Sequence, residues 1–187
     1  MSQYKTAYLA LGSNLGDKFF NIYTALKMLK GPYASSILIE KVSNVYLSLP
    51  FQMTVENSAN FLNIVSRVKT TLSPEELIQQ TRSVEESLGK NINPLLNQVL
   101  PRVIDIDLLF YEGVVSTKED LLIPHPRIFE RDFVFVPLGE IIDRDWKDPV
   151  DGLSFIQNLE RRNLSRKMNF DLKRIFSLSL QDIICLN

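Results

Sequence analysis

Apolar residues recur along this chain with two different periods. Thr6 to Leu11 is a short continuous run, while Ile37 to Tyr46 and Phe61 to Val68 alternate as strands do. Between them Phe19, Ile22, Tyr23, Leu26 and Leu29 stand at helical spacing over Lys18 to Lys30, and Gly31-Pro32 ends that helix. Ser73-Pro74-Glu75-Glu76 opens a second helix, with a Ser cap, a proline in the first turn and Glu three residues after the cap. Its apolar stripe is Leu77, Ile78, Thr81, Val84 and Leu88, and Gly89 is its stop. With a strand at Pro101 to Phe110, the predicted order is strand, helix, strand, strand, helix, strand. Ile37 to Tyr46 reads as one long strand with a bulge, and Tyr111-Glu112-Gly113 as a hairpin leading to a short strand at Val114-Val115. Phe133 to Ile142 resumes helical spacing, and Gly152 to Leu159 suggests a last small element.

Pro101 to Phe110 breaks the apolar pattern in one respect. Ile104, Ile106, Leu108 and Phe110 alternate with Val103, Asp105, Asp107 and Leu109, so the two aspartates share a face with Cα atoms about 6.5–7 Å apart. At that spacing both carboxylates can converge on a hard cation such as Mg²⁺, with Arg102 beside them to hold an anion such as a phosphate. An edge strand whose aspartates face water accounts for the same residues. Glu85 poses a similar question, because it falls inside the apolar stripe of its helix while Glu86 points away. A carboxylate there pairs with an arginine, snorkels to the stripe's edge, or serves a site.

Three further segments carry candidate chemistry. Gly12-Ser13-Asn14-Leu15-Gly16-Asp17 joins a strand to a helix, but no Gly-Lys-Ser/Thr follows, so it reads as a structural turn with Asp17 as cap and not as a phosphate loop. Phe61 and Asn63 lie on one strand face, where they either pack or hold a flat heterocycle by stacking and hydrogen bonding. In Ile123 to Arg131, two prolines stiffen the backbone around the only histidine, and Arg127 and Arg131 stand four residues apart. Fixed cations suit a polyphosphate; a proline-bracketed loop with solvated arginines is the plainer reading. Leu47 to Asn60 and Lys90 to Leu100 have no period and read as long loops, the second beside the aspartate strand.

Composition narrows the classes. At 187 residues, 45% hydrophobic and 23% charged, the chain fits one globular domain, placed at 1–160, with a polar, basic extension or linker at 161–187. A formal charge of −1 argues against a nucleic-acid partner, and no apolar run is long enough to span a membrane, so a cytoplasmic location is expected. One cysteine and one histidine rule out an internal disulfide and a His-rich metal site.

Taken together, ALGSNLGD at 10–17, Phe61-Leu62-Asn63, Glu85 four residues before Gly89, PRxxDxD at 101–107 and IPHPRxxERxFVxxPL at 123–138 resemble the 6-hydroxymethyl-7,8-dihydropterin pyrophosphokinase family of folate biosynthesis. The resemblance covers residues 6 to 142 and implies an α/β (α+β) fold, a ferredoxin-like three-layer αβα sandwich with a mainly antiparallel sheet. It implies diphosphate transfer from ATP to the pterin hydroxymethyl group, with release of AMP. By that resemblance Asp105 and Asp107 hold two Mg²⁺ ions, and Arg102 and Lys90 join them as catalytic residues. ATP meets Glu85, Lys90, Arg102, Leu108, His125 and Arg131. The pterin is sandwiched by Phe61 and Phe133, hydrogen-bonded by Asn63 and lined by Ser48, Leu49 and Phe51. Three positions depart from the family pattern: Lys90 stands where an arginine is common, Gln98-Val99-Leu100 replaces a Trp-Gly, and Pro126 replaces a tyrosine. A fused or associated dihydropteroate synthase is the expected neighbour. A nucleotide-sugar transferase would also use Asp-x-Asp but needs a nucleotide-binding half this chain lacks, and a ferredoxin-like ligand-binding module would not need paired aspartates.

Overall fold

The computed structural model describes residues 3–30, 36–49, 59–89, 102–163 and 173–176, the last four as backbone. The elements are β1 (Lys5–Ser13), α1 (Lys18–Lys30), β2 (Ile37–Val42), β3 (Val45–Ser48), β4 (Phe61–Thr70), α2 (Pro74–Ser87), β5 (Asp105–Tyr111), β6 (Ser116–Lys118), β7 (Leu121–Ile123), a 3-10 turn at Ile128–Glu130, α3 (Asp132–Ile141), α4 (Phe155–Asn163) and β8 (Lys173–Phe176). The main sheet runs β5-β1-β4-β3-β8, with β2 also on β4, and each of these pairings is antiparallel. Strands β5, β1, β4 and β2/β3 with crossovers through α1 and α2 give the expected ferredoxin-like arrangement.

Side-chain alternation divides the core into two layers. Ala7, Leu9 and Leu11 of β1, Ile64 and Val68 of β4 and Ile106 and Leu108 of β5 bury against Ile22, Leu26 and Leu29 of α1 and Leu77 and Val84 of α2. On the opposite face Tyr8, Val65, Leu109 and Phe110 pack with Val134, Leu138 and Ile141 of α3. Both main helices start where predicted. Asp17 Oδ1 accepts from the Phe20 amide at 3.0 Å, and Ser73 with Glu76 forms a reciprocal capping box that satisfies two otherwise unpaired amides.

Four details differ from the sequence reading. The long strand over Ile37 to Tyr46 is two strands, because the Ser43 hydroxyl takes the Val65 amide at 2.9 Å and breaks the ladder; Ser48 then belongs to β3 and not to a loop. In β5, Phe110 does not follow Ile106 and Leu108. The β1–β5 register slips between Tyr8 and Leu9, and this bulge turns both Leu109 and Phe110 toward α3. The hairpin strand after Gly113 begins at Ser116, since Gly113 has a positive φ of 75° and half-buried Val114 packs on the core. Finally, the boundary read at Glu160 falls inside α4, and β8 adds to the β3 edge, with Val45 opposite Phe176 and Leu47 opposite Lys173. An edge strand presents unpaired amides that a short segment can take up. Truncation after Arg162 is therefore expected to preserve most turnover while exposing the β3 edge; light scattering should rise with concentration in the truncated chain and not in the full one.

Candidate active site

β5 is the edge strand, so its outward N–H and C=O groups have no ladder partner, and two neighbours supply what is missing. From α2 the Glu85 carboxylate, 3% exposed, accepts from the Ile106 amide at 2.8 Å, between the two aspartates in sequence. The buried acid thus meets a backbone N–H, a partner the helical period could not reveal. Glu85→Ala is expected to cost about 1–3 kcal/mol in urea unfolding, because it strands that buried amide, whereas Glu85→Gln keeps an acceptor and costs less. From the other side the His125 amide donates to the Leu109 carbonyl at 2.9 Å and sets the imidazole against the strand.

Asp105 and Asp107 share the α3 face of the sheet, as predicted, and each has a cationic neighbour. Arg102 Nη1 donates to Asp105 Oδ1 at 2.5 Å, and Arg131 Nη1 donates to Asp107 Oδ2 at 3.2 Å. His125 Nε2 stands 3.9 Å from Asp107 Oδ2. Burial raises the Asp107 pKa above the ordinary carboxylate range, and the Asp105 charge adds to the rise, while His125 and Arg131 oppose it. Burial also lowers the His125 pKa, against the pull of Asp107. The Arg127 amide donates to His125 Nδ1 at 3.2 Å, which leaves the proton of a neutral ring on Nε2, facing Asp107. Arg131 Nε is buried without a hydrogen-bond partner among the described residues, a guanidinium donor held ready in the site.

The same face continues across the sheet. Register puts Asp105 opposite Gly12, Gly12 opposite Asn63, and Asn63 opposite Tyr46. Asp105 and Asn63 are therefore two strand spacings apart, about 9.5 Å, with only a glycine between them. A Cβ at Gly12 would stand 3.2 Å from Asn63 Oδ1 and 3.8 Å from the Phe61 ring, so the missing side chain keeps a floor open beneath both. Asn63 is 4% exposed, and its amide nitrogen donates to Ser48 Oγ at 3.0 Å and to the Tyr46 carbonyl at 3.5 Å, which leaves Oδ1 to accept from a ligand. Phe133 lies in the first turn of α3 on this face, with the Arg131 guanidinium 5.9 Å from its ring centroid.

The structure thus brings together Asp105, Asp107, Arg102, Arg131 and His125 at one end of the strip, and Asn63, Phe61 and Ser48 at the other. Leu108 lies apart, 7% exposed in the core under α1 and α2, and Leu49 is 53% exposed beyond β3. Lys90 and Phe51 fall outside the described residues, as do residues 50–58 of the first long loop and all of the second. Two residues of the Gly12 to Asp17 turn, which the sequence reads as structural, belong to the site. Gly12 is the floor just described, and Asn14 touches Arg102 directly. Their signal in the sequence is position: a small residue and an amide at the end of the strand that neighbours the aspartates.

Among the described residues no three His, Cys, Asp or Glu side chains cluster as a complete metal cage. Two carboxylates on one strand face nevertheless fit Mg²⁺, which takes one or two carboxylates and completes its shell with water and substrate phosphates. No helix among the described residues is long and apolar enough to cross a membrane.

Comparison with known proteins adds an independent line. Residues 8–143 match the 7,8-dihydro-6-hydroxymethylpterin-pyrophosphokinase (HPPK) family. A folic acid synthesis protein of Dictyostelium discoideum is 40% identical over 134 residues, which are 72% of this chain and 19% of that protein. The 2-amino-4-hydroxy-6-hydroxymethyldihydropteridine pyrophosphokinase of Bacillus subtilis (strain 168) is 36% identical over 142 residues, covering 76% of this chain and 81% of that one. A Plasmodium falciparum HPPK-DHPS crystallised with pteroate superposes with a TM-score of 0.69 at 14% identity, over 95% of this chain and 49% of that one. The chain therefore spans about a fifth of the Dictyostelium protein and about half of the Plasmodium one.

Proposed function

The chain belongs to the 7,8-dihydro-6-hydroxymethylpterin-pyrophosphokinase family, and from that premise we propose that it transfers a diphosphate from ATP to the hydroxymethyl group of 6-hydroxymethyl-7,8-dihydropterin, releasing AMP. One observation carries the reading. An acidic pair with fixed cations and a recess floored by glycine, with an aromatic ring and a buried amide acceptor, lie on the same sheet face within two strand spacings.

The chemistry follows from that layout. The pterin lies over Gly12 with its donor edge on Asn63 Oδ1 and its ring between Phe61 and Phe133, so its hydroxymethyl arm reaches toward Asp105. Ser48 holds the Asn63 amide in that orientation, and the family resemblance adds Leu49 and Phe51 as pterin contacts. Asp105 and Asp107 are the residues that would hold two Mg²⁺ ions, which supply neutralisation of phosphate charge and polarise the attacking oxygen. Arg131, His125 Nε2–H, Arg102 and Lys90 bind the triphosphate, and Arg131 Nε contributes its unused donor. Glu85 holds β5 from its α2 side through the Ile106 amide, and Leu108 packs the strand into the core beneath it, away from the acidic pair. The hydroxymethyl oxygen gives its proton to solvent and forms a bond to the β-phosphorus as the bond from that phosphorus to the α-phosphate oxygen breaks, so AMP leaves. No covalent enzyme intermediate is required, because alignment and fixed charge lower the barrier.

The test is product analysis. With 6-hydroxymethyl-7,8-dihydropterin, ATP and Mg²⁺, AMP and the diphosphorylated pterin should appear in equal amounts, and AMP should not appear when the pterin is omitted. Release of UDP from a nucleotide sugar, or pterin binding without turnover, would sink the assignment. We extend the proposal to a larger architecture in which the pyrophosphokinase unit, with α4 whole and β8 on the β3 edge, is fused to or associated with a dihydropteroate synthase; the two-enzyme composition of the HPPK-DHPS neighbours supports this.

A further inference from the structure

Asn14 lies just past the end of β1, 2% exposed, in the turn that the sequence marks as structural. The turn is tied to α1: Asn21 Nδ2 donates to Ser13 Oγ at 3.2 Å and to the Leu15 carbonyl at 2.8 Å, and Asp17 caps the helix. Asn14 is therefore a rigid point. From it two hydrogen bonds run to one residue of the segment that leads into β5. The Arg102 amide donates to Asn14 Oδ1 at 2.7 Å, and the Asn14 amide donates to the Arg102 carbonyl at 3.2 Å.

This reciprocal pair prolongs the β1–β5 ladder beyond Gly12 and Asp105, with the Asn14 side chain standing in for a strand carbonyl. Its consequence lies three residues on. With the Arg102 backbone held at both polar atoms, the guanidinium is delivered to Asp105 from a fixed root, and Arg102 Nη1 to Asp105 Oδ1 is the short contact of the site. A long cationic side chain on a free backbone would lose much of that orientation to conformational entropy. The residue type fits the task. Asn supplies the acceptor without charge, whereas a carboxylate would put a third anion beside Asp105 and Asp107. Its Nδ2 has no hydrogen-bond partner among the described residues, a cost that a purely structural turn would avoid with Ser or Gly.

We infer that Asn14 is a positioning residue for the transfer reaction: it fixes the Arg102 backbone so that the guanidinium is aimed at Asp105 and at the phosphate bound there. The inference rests on the proposed function for its kinetic arm and on geometry alone for the other.

Two measurements on the full chain test it. In the first, amide hydrogen exchange is followed without substrates: the Arg102 amide, protected in the wild type, should exchange about tenfold faster or more in Asn14→Ala, since its buried acceptor is gone. Unchanged exchange overturns the clamp whether or not the chain turns over pterin. The second is a double-mutant cycle on kcat for AMP release. Asn14→Ala should lower kcat about tenfold in the wild-type background but change it little in Arg102→Ala, with the pterin KM nearly constant throughout. A wild type that releases no AMP refutes the proposed function and leaves the exchange result to decide the clamp. An active wild type in which the two losses multiply refutes positioning through Arg102. Asn14→Ser is carried in parallel for folding, and loss of folded protein in both variants would assign Asn14 to stability and overturn the inference.

Discussion

Asp105→Ala and Asp107→Ala should each lose on the order of 10³-fold in turnover, equivalent to about 4 kcal/mol of transition-state stabilisation. Among the described residues the two carboxylates are the only groups in the strip that carry negative charge toward a cation, and each already holds an arginine that a phosphate would otherwise share. The fold should survive either change, because the strand's packing comes from Ile106, Leu108 and Leu109, which are untouched. Stability supplies a second and opposite signature. Burial and the neighbouring Asp105 raise the Asp107 pKa in the folded chain, so the folded state holds the proton more tightly than the unfolded one. That relation penalises folding once the pH rises above the unfolded pKa, and the penalty is complete above the folded one. Asp107→Asn should accordingly raise the metal-free melting temperature at neutral pH, with the gain fading as the pH falls toward about 4. Turnover within a few-fold of wild type at saturating Mg²⁺ and ATP would sink the metal-site assignment, and a stability gain that grows in acid would sink the electrostatic account.

Gly12→Val should raise the KM for the pterin by about 10²-fold, or about 2.7 kcal/mol, while the KM for ATP changes little. Even one added carbon would stand 3.2 Å from Asn63 Oδ1. Asn63 cannot retreat cheaply, because Ser48 Oγ and the Tyr46 carbonyl hold its nitrogen. The branched side chain therefore both occupies the floor and pushes the acceptor that reads the ligand edge. Valine suits a strand backbone, but crowding the held Asn63 costs stability, so the melting temperature should fall modestly while the chain stays folded. An unchanged pterin KM in a folded Gly12→Val protein would remove the recess from the substrate site and leave the acidic pair without a neighbouring acceptor.

The sequence by itself determined the elements and most of the face assignments. Short strand runs and helical stripes with a Ser73 cap and an Asp17 cap are local signals, and Asp105 and Asp107 share a face because strand side chains alternate. Tertiary structure decided everything that depends on which strands become neighbours and in what register. A one-residue bulge sends Phe110 to the α3 layer, against the simple alternation. Glu85 finds its partner in a backbone amide that is free only because β5 lies at the sheet edge, and Gly12 acquires a role only because β1 runs between the aspartates and Asn63. The Asn14–Arg102 clamp joins residues far apart in the chain, and β8 pairs with β3 across a still longer interval. Periodicity reports how a residue faces its own element; hydrogen-bond partners and open floors are properties of the space between elements, and only the assembled sheet fixes that space.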